Sequence, residues 1–131
     1  DPVLSRGLGD VYKRQDYGLL TFLFQDQAGG LEVLGRKSDT WIPVAPRIGE
    51  IVVNSGDLME RWTNGRFRST CHRVQPRTGS GDRYSLALFL DPDDAVEVSC
   101  LPSCVSEQNP ARYPPTTAGE HILAKLRASH R

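Results

Sequence analysis

The chain has 131 residues, with 16 basic against 16 acidic side chains and 38% hydrophobic residues. That length suits one domain, and a net charge of zero gives no electrostatic footing for nucleic acid or an anionic membrane as partner. No apolar run approaches the roughly 20 residues needed to span a bilayer, and the odd set of Cys71, Cys100 and Cys104 argues for reduced thiols in a cytoplasmic protein over a disulfide framework.

The stretch Asp1–Gln15 (DPVLSRGLGDVYKRQ) is basic, irregular and without an apolar period. As protein it reads as an N-terminal tail. As translated DNA it reads differently. Asp10–Gln15 can be encoded by GAT GTG TAT AAG AGA CAG, which resembles the transposon end used in sequencing-library adapters. Ser5–Gly9 can be encoded by TCT CGT GGG CTC GGA, which resembles the adapter segment just upstream. Residues 1–15 are therefore expected to be a non-native, adapter-derived segment, excluded from fold reasoning. Residues 16–131 are expected to be a gene fragment joined to it.

From Asp16 onward, short apolar runs alternate with turn signals. Gly18–Gln25 is strand-like, Gly29-Gly30 marks a turn, and Leu31–Leu34 is a second strand. Trp41–Val44 follows between prolines, then the β-branched run Glu50–Asn54. Gly56–Trp62 suits one or two helical turns closed by Thr63–Gly65. Ser69–Gln75 and Arg83–Leu90 are the clearest later strands, with a weaker one at Ala95–Ser99. Asn109–Pro115 carries three prolines and reads as extended loop. Thr117 and Glu120 stand at capping-box spacing. Ile122, Leu123 and Leu126 make a narrow apolar stripe, which predicts a helix over Thr117–Ala128 packed on the sheets. Many short strands between Gly, Pro, Asn and Asp predict an all-β core, an antiparallel sandwich or barrel, with a C-terminal helix.

Three fragments stand out as chemistry: Asp16-Tyr17-Gly18 at the head of a strand, Ser69–Val74 around His72, and Arg83-Tyr84-Ser85. Each alone has a plainer reading, as turn former, structural histidine or surface pair. Side chains alternate along a strand, so Arg83, Ser85, Ala87 and Phe89 share one face and Tyr84, Leu86, Leu88 and Leu90 the other. The second face is apolar and calls for a packing partner, such as helices. An Arg inside a barrel calls for an anion, because an unpaired buried charge costs several kcal/mol. Its planar fork matches a carboxylate, and Ser85 can add a hydrogen bond. Cys100 and Cys104 have C-x3-C spacing, but no second pair of zinc ligands accompanies them.

The order D-x-G (Asp16–Gly18), N-x-G-D (Asn54–Asp57), W-T-N-G (Trp62–Gly65), S-T-x-H-R-V (Ser69–Val74) and R-Y-S (Arg83–Ser85) resembles the isopenicillin N synthase-like branch of the iron(II)- and 2-oxoglutarate-dependent dioxygenases. The resemblance spans nearly all of residues 16–131. It implies a double-stranded β-helix, or jelly roll. It implies Asp16 and His72 as iron ligands, and Arg83 with Ser85 as the grip on the distal carboxylate of 2-oxoglutarate. O2 is the third partner, and Phe89 lies on the face expected to line the substrate pocket. The family's first metal histidine falls at position 14, which holds Arg14, a side chain with no lone pair to give. Asn54 and Asp57 read as turn and capping residues.

The resemblance further implies an enzyme that oxidises a small organic molecule by hydroxylation, desaturation or cyclisation, working as a monomer. An oxidase using iron and O2 without 2-oxoglutarate, and a non-catalytic jelly-roll binding domain, stay open. The fragment itself is expected to bind iron weakly, turn over little and be poorly soluble.

Overall fold

The computed structural model describes residues 13–75 and 81–130. Most of the adapter-like segment lies outside them. Among the described residues the chain runs through β1 (Leu20–Gln25), β2 (Leu31–Leu34), β3 (Trp41–Pro43), β4 (Val52–Ser55), α1 (Asp57–Trp62), β5 (His72–Val74), β6 (Ser85–Leu90) and β7 (Glu97–Val98). A 3-10 turn (Pro102–Cys104), β8 (Thr116–Thr117) and α2 (Ala118–Ser129) complete it. The element order follows the sequence expectation, with shorter strands. His72–Val74 is all that remains of the strand expected over Ser69–Gln75. Its lead-in is tied to other elements instead: Ser69 N donates to Glu60 Oε2 at 2.6 Å and Thr70 N to the Ser55 carbonyl at 3.1 Å. β8 was expected as loop and helix start. It pairs antiparallel with β7, Glu97 opposite Thr117.

Every strand pair is antiparallel. Among the described residues two three-stranded sheets have the orders β4-β1-β6 and β3-β2-β5, and β7-β8 form a two-stranded third. Six strands in two such antiparallel sheets are the jelly-roll arrangement expected from the strand pattern. Register fixes which residues share a face. Thr21 lies opposite both Asn54 and Phe89, and Gln25 opposite Ser85. In the second sheet His72 lies opposite Val33. The β1–β2 turn needs glycine twice, since Gly29 and Gly30 hold φ of 72° and 98°.

The tightest packing lies where α1, β7 and α2 meet. Leu58, Val98 and Ala118 are fully buried there, with Leu19 and Trp62 against them. The expected apolar stripe of α2 is not the buried one. Leu123 and Leu126 are exposed, and Ala118 and His121 are buried. The start of the helix sets this orientation: Ala118 N donates to the Val96 carbonyl and Gly119 N to that of Asp94, while Lys125 pairs with Asp57 at 2.9 Å. Thr117 caps as expected, its side chain accepting from Glu120 N at 3.2 Å.

β6 also departs from expectation. Tyr84, Leu86, Leu88 and Leu90 are 50–70% exposed, and no helix among the described residues covers them. On the opposite face Ser85 and Phe89 are exposed and Arg83 is half-buried, so this face is an open sheet surface here and not a closed barrel interior.

Candidate metal centre

Asp16, in the loop before β1, and His72, the first residue of β5, meet. His72 Nε2 lies 3.7 Å from Asp16 Oδ1, with both side chains about four-fifths buried or more. That gap is too wide for a hydrogen bond. It suits an ion placed about 2.0–2.2 Å from each ligand. The imidazole is oriented for that use. Its Nδ1 lies 3.0 Å from the Thr70 carbonyl, which can only accept, so Nδ1 donates there and, in the neutral ring, Nε2 is the nitrogen with the lone pair.

The carboxylate is oriented as firmly. Asp16 Oδ2 accepts from Thr21 Oγ1 at 2.6 Å and from Asn54 Nδ2 at 2.9 Å. The backbone beneath it is tied to α1: Asp57 N donates to the Asp16 carbonyl at 2.7 Å, and Leu58 N reaches the carbonyls of Tyr17 and Gly18. His121 Nε2 adds a contact to the Tyr17 carbonyl at 3.1 Å. Two expectations are corrected here. Neither Asn54 nor Asp57 caps α1 with its side chain, since Gly56 is the N-cap and no side-chain bond is made there. Asn54 grips Asp16, and the Asp57 carboxylate pairs with Lys125. Nothing local in the sequence marks Thr21 or Asn54 for this role, which follows from the β1–β4 register that sets them opposite one another.

Position 14 completes the geometry without completing the chemistry. Arg14 and His72 exchange backbone hydrogen bonds, 2.8 Å from Arg14 N and 3.0 Å from His72 N. Directly paired residues project to the same side of an antiparallel ladder, roughly 5 Å apart at Cβ. A metal-binding side chain at 14 would thus stand beside His72. The guanidinium has no lone pair, so this chain offers two protein ligands that fit a divalent ion. No cluster of three acidic, histidine or cysteine ligands occurs among the described residues.

Arg83 and Ser85 adjoin as expected. Arg83 Nε donates to the Gly29 carbonyl at 2.9 Å, and a terminal nitrogen reaches Ser85 Oγ at 3.5 Å. The first bond anchors the stem and leaves the terminal N–H groups open to a carboxylate, which fits one end of 2-oxoglutarate. Ser85 and Phe89 lie on the face of the sheet that carries Thr21 and Asn54, so Asp16 stands over the same surface. Phe89 is directly opposite Thr21.

The other motifs build the frame. Asn64, fully buried at a φ of 51°, donates to the carbonyls of Cys104, Asn109 and Pro110 and accepts from Arg112 N. Glu60 holds Ser69 N and the Tyr113 hydroxyl, and burial followed by the Glu60 bond pushes the Tyr113 phenol up from its ordinary value. Arg73 lies over the Trp41 ring and bonds Glu32, whose carboxyl it holds below the usual range. The Cys100 thiol is turned toward the carbonyls of Arg61 and Tyr113. Two surface hollows of about 380 and 430 Å3 are lined by Arg36, Arg68 and Arg112 among others and include none of Asp16, His72, Arg83 and Ser85.

A family model described as the 2OG-Fe(II) oxygenase superfamily matches residues 9–92, well over half of the chain. The chain belongs to the 2OG-Fe(II) oxygenase superfamily. The match includes position 14, where Arg stands. Among relatives of this superfamily, the 2-oxoglutarate-Fe(II) type oxidoreductase hxnY of Emericella nidulans is 37% identical over 130 residues, covering 99% of this chain and 36% of its own length. A full-length Neurospora crassa structure in complex with alpha-KG superposes with a TM-score of 0.83 at 33% identity, over 94% of this chain and 39% of that one. A 2OG-Fe(II) oxygenase family structure from Caulobacter crescentus gives 0.85 at 35% identity, over 96% and 42%. The chain spans little more than a third of the length of the curated relatives it matches. The jelly roll of the superfamily is the fold described above.

Proposed function

We propose that the protein to which this chain belongs is a non-heme iron oxygenase of the isopenicillin N synthase-like branch, oxidising a small organic molecule. The observation that carries this reading is the pairing of a free Asp16 carboxylate oxygen with a free His72 ring nitrogen across 3.7 Å. In it, Asp16 and His72 hold iron(II), the Arg83 fork and Ser85 hold the distal carboxylate of 2-oxoglutarate, and Phe89 lines the substrate side. Iron and 2-oxoglutarate, when bound, supply activation of O2, with decarboxylation to succinate accompanying oxidation of a C–H bond. The chain's own part is positioning. Thr70 sets the imidazole tautomer, α1 pins the Asp16 backbone, and Gly29 braces Arg83.

Anaerobic calorimetry with iron(II) and 2-oxoglutarate tests the reading. The chain as it stands is expected to bind iron weakly. Arg14→His, which adds an imidazole beside His72, is expected to tighten binding by more than about tenfold, or roughly 1.4 kcal/mol. It is also expected to release succinate on exposure to O2. An affinity unmoved by both Arg14→His and His72→Ala would sink the proposal. Turnover that needs iron and O2 but no 2-oxoglutarate would favour an oxidase, in which Arg83 holds a substrate carboxylate.

A further inference from the structure

A carboxylate offers about four lone-pair positions over two oxygens and can bind a cation through one oxygen or both. In Asp16 the two oxygens are treated differently. Oδ2 takes both donors, the Thr21 hydroxyl at 2.6 Å and the Asn54 amide at 2.9 Å. Oδ1 takes neither and faces His72 Nε2. The asymmetry is built into the fold. Thr21 and Asn54 are direct cross-strand partners in the β1–β4 ladder, so their side chains rise together on one face. Thr21 is only 5% exposed, and its β-branched side chain has little rotamer freedom. The amide must present its nitrogen here, because its oxygen would oppose the carboxylate.

We infer that Thr21 and Asn54 are positioning residues that make Asp16 a one-oxygen metal ligand, by occupying Oδ2 and presenting Oδ1 alone beside His72. The inference rests on the reading of Asp16 and His72 as metal ligands. Without the two donors, the carboxylate is free to swing about its last bond. It then either offers both oxygens to the ion or turns away from it.

The test uses the full chain and its Arg14→His form, titrated anaerobically with iron(II) and, as a redox-stable probe, with manganese(II). Thr21→Val, near in shape but without the hydroxyl, and Asn54→Ala should each weaken metal binding roughly 10- to 100-fold. Thr21→Ser, which keeps the donor, should stay near the parent. Circular dichroism and thermal melting establish that each variant is folded. Infrared spectra of the metal-bound forms give a readout that a merely structural role would not move. The separation of the two carboxylate stretches should change from the one-oxygen pattern in the parent to the two-oxygen pattern in the Thr21→Val/Asn54→Ala variant. Folded variants that keep both affinity and infrared pattern, while His72→Ala loses affinity, overturn the inference and leave the functional reading standing. Loss of affinity in folded Thr21→Ser would also overturn it. If His72→Ala changes nothing, both fall.

Discussion

The backbone N–H of Asp57 donates to the carbonyl of Asp16 across 2.7 Å, joining the first turn of α1 to the loop that carries the candidate metal ligand. The first N–H groups of any helix lack intrahelical acceptors. In α1 those of Asp57 and Leu58 find them in the carbonyls of Asp16, Tyr17 and Gly18, and the N-cap Gly56 donates to Leu19. The N-x-G-D motif is thus one clamp. Asn54 holds the carboxylate, Gly56 lets the backbones approach, and Asp57 ties the chain beneath.

Gly56 tests the clamp. Its φ of −107° suits any residue, so a substitution is opposed only by space. A Cβ there would lie 2.4 Å from the Gly18 carbonyl oxygen and 2.8 Å from that of Asp16. Gly56→Ala should therefore destabilise the fold by about 1–3 kcal/mol, the range for overpacking a tight site. It should weaken metal binding as well, because the Asp16 loop must shift. Urea denaturation measures the first effect, and an unchanged midpoint would contradict it.

Arg83 makes a separate prediction about the co-substrate. Charge-assisted hydrogen bonds contribute about 1.5–3 kcal/mol. Arg83→Ala should thus weaken 2-oxoglutarate binding by roughly tenfold or more, with metal affinity little changed. Arg83→Lys keeps the charge but loses the fork and the brace to Gly29, so it should fall between. Calorimetry with 2-oxoglutarate on the manganese-loaded protein reads this, and equal affinity in all three forms would refute it.

Local signals carried much of the fold. β2 is Leu31–Leu34 as its apolar run and the preceding glycine pair suggest, and Thr117 caps α2 as its spacing to Glu120 suggests. What failed were particular choices decided by long-range contact. The choice of Ala118 and His121 over Leu123 and Leu126 as the buried face of α2 is made by β7 and α1, not by the helix's own hydropathy. The short pairing of β7 with β8 leaves no pattern in two residues. In the candidate site, Asp16, His72, Arg83 and Ser85 were singled out by the ordered motifs that resemble the family, since each alone has a plainer reading. Thr21 and Asn54 were not, because a hydroxyl and an amide acquire their role only from a register that brings them under one carboxylate.

His121 should make stability depend on pH. It is buried, and burial chiefly, aided by the nearby charges of Lys125 and Arg61 and opposed by the Tyr17 carbonyl and Asp57, lowers its pKa below the ordinary 6.5. Below about 6.5 the unfolded chain binds a proton that the folded chain resists, so the contribution is fully present above that value and is lost as pH falls. The Glu32 carboxyl, held below 4.5 first by its bond from Arg73, adds a second loss at lower pH. Urea denaturation between pH 8 and 5 should show stability falling, with a shallower fall in His121→Gln. Parallel curves for the two proteins would rule out His121 as the cause.

The apolar face of the β4-β1-β6 sheet should govern behaviour in solution. Leu86 and Leu88 lie opposite Phe24 and Phe22, Val53 lies opposite Phe22 from the other side, and Leu86, Leu88, Val53 and Phe24 are all exposed. Contiguous apolar surface of this kind drives association. Light scattering should therefore show concentration-dependent oligomers of the chain. Leu86→Lys with Leu88→Glu should shift them toward monomer. Because both positions are exposed, stability should change by no more than about 0.5 kcal/mol each. Phe89→Ser removes an equally exposed side chain from the opposite face and should leave association unchanged, since that face carries the polar groups of Thr21, Asn54 and Ser85. Should Phe89→Ser disperse the oligomers and the double variant not, the face carrying the candidate site would be the sticky one.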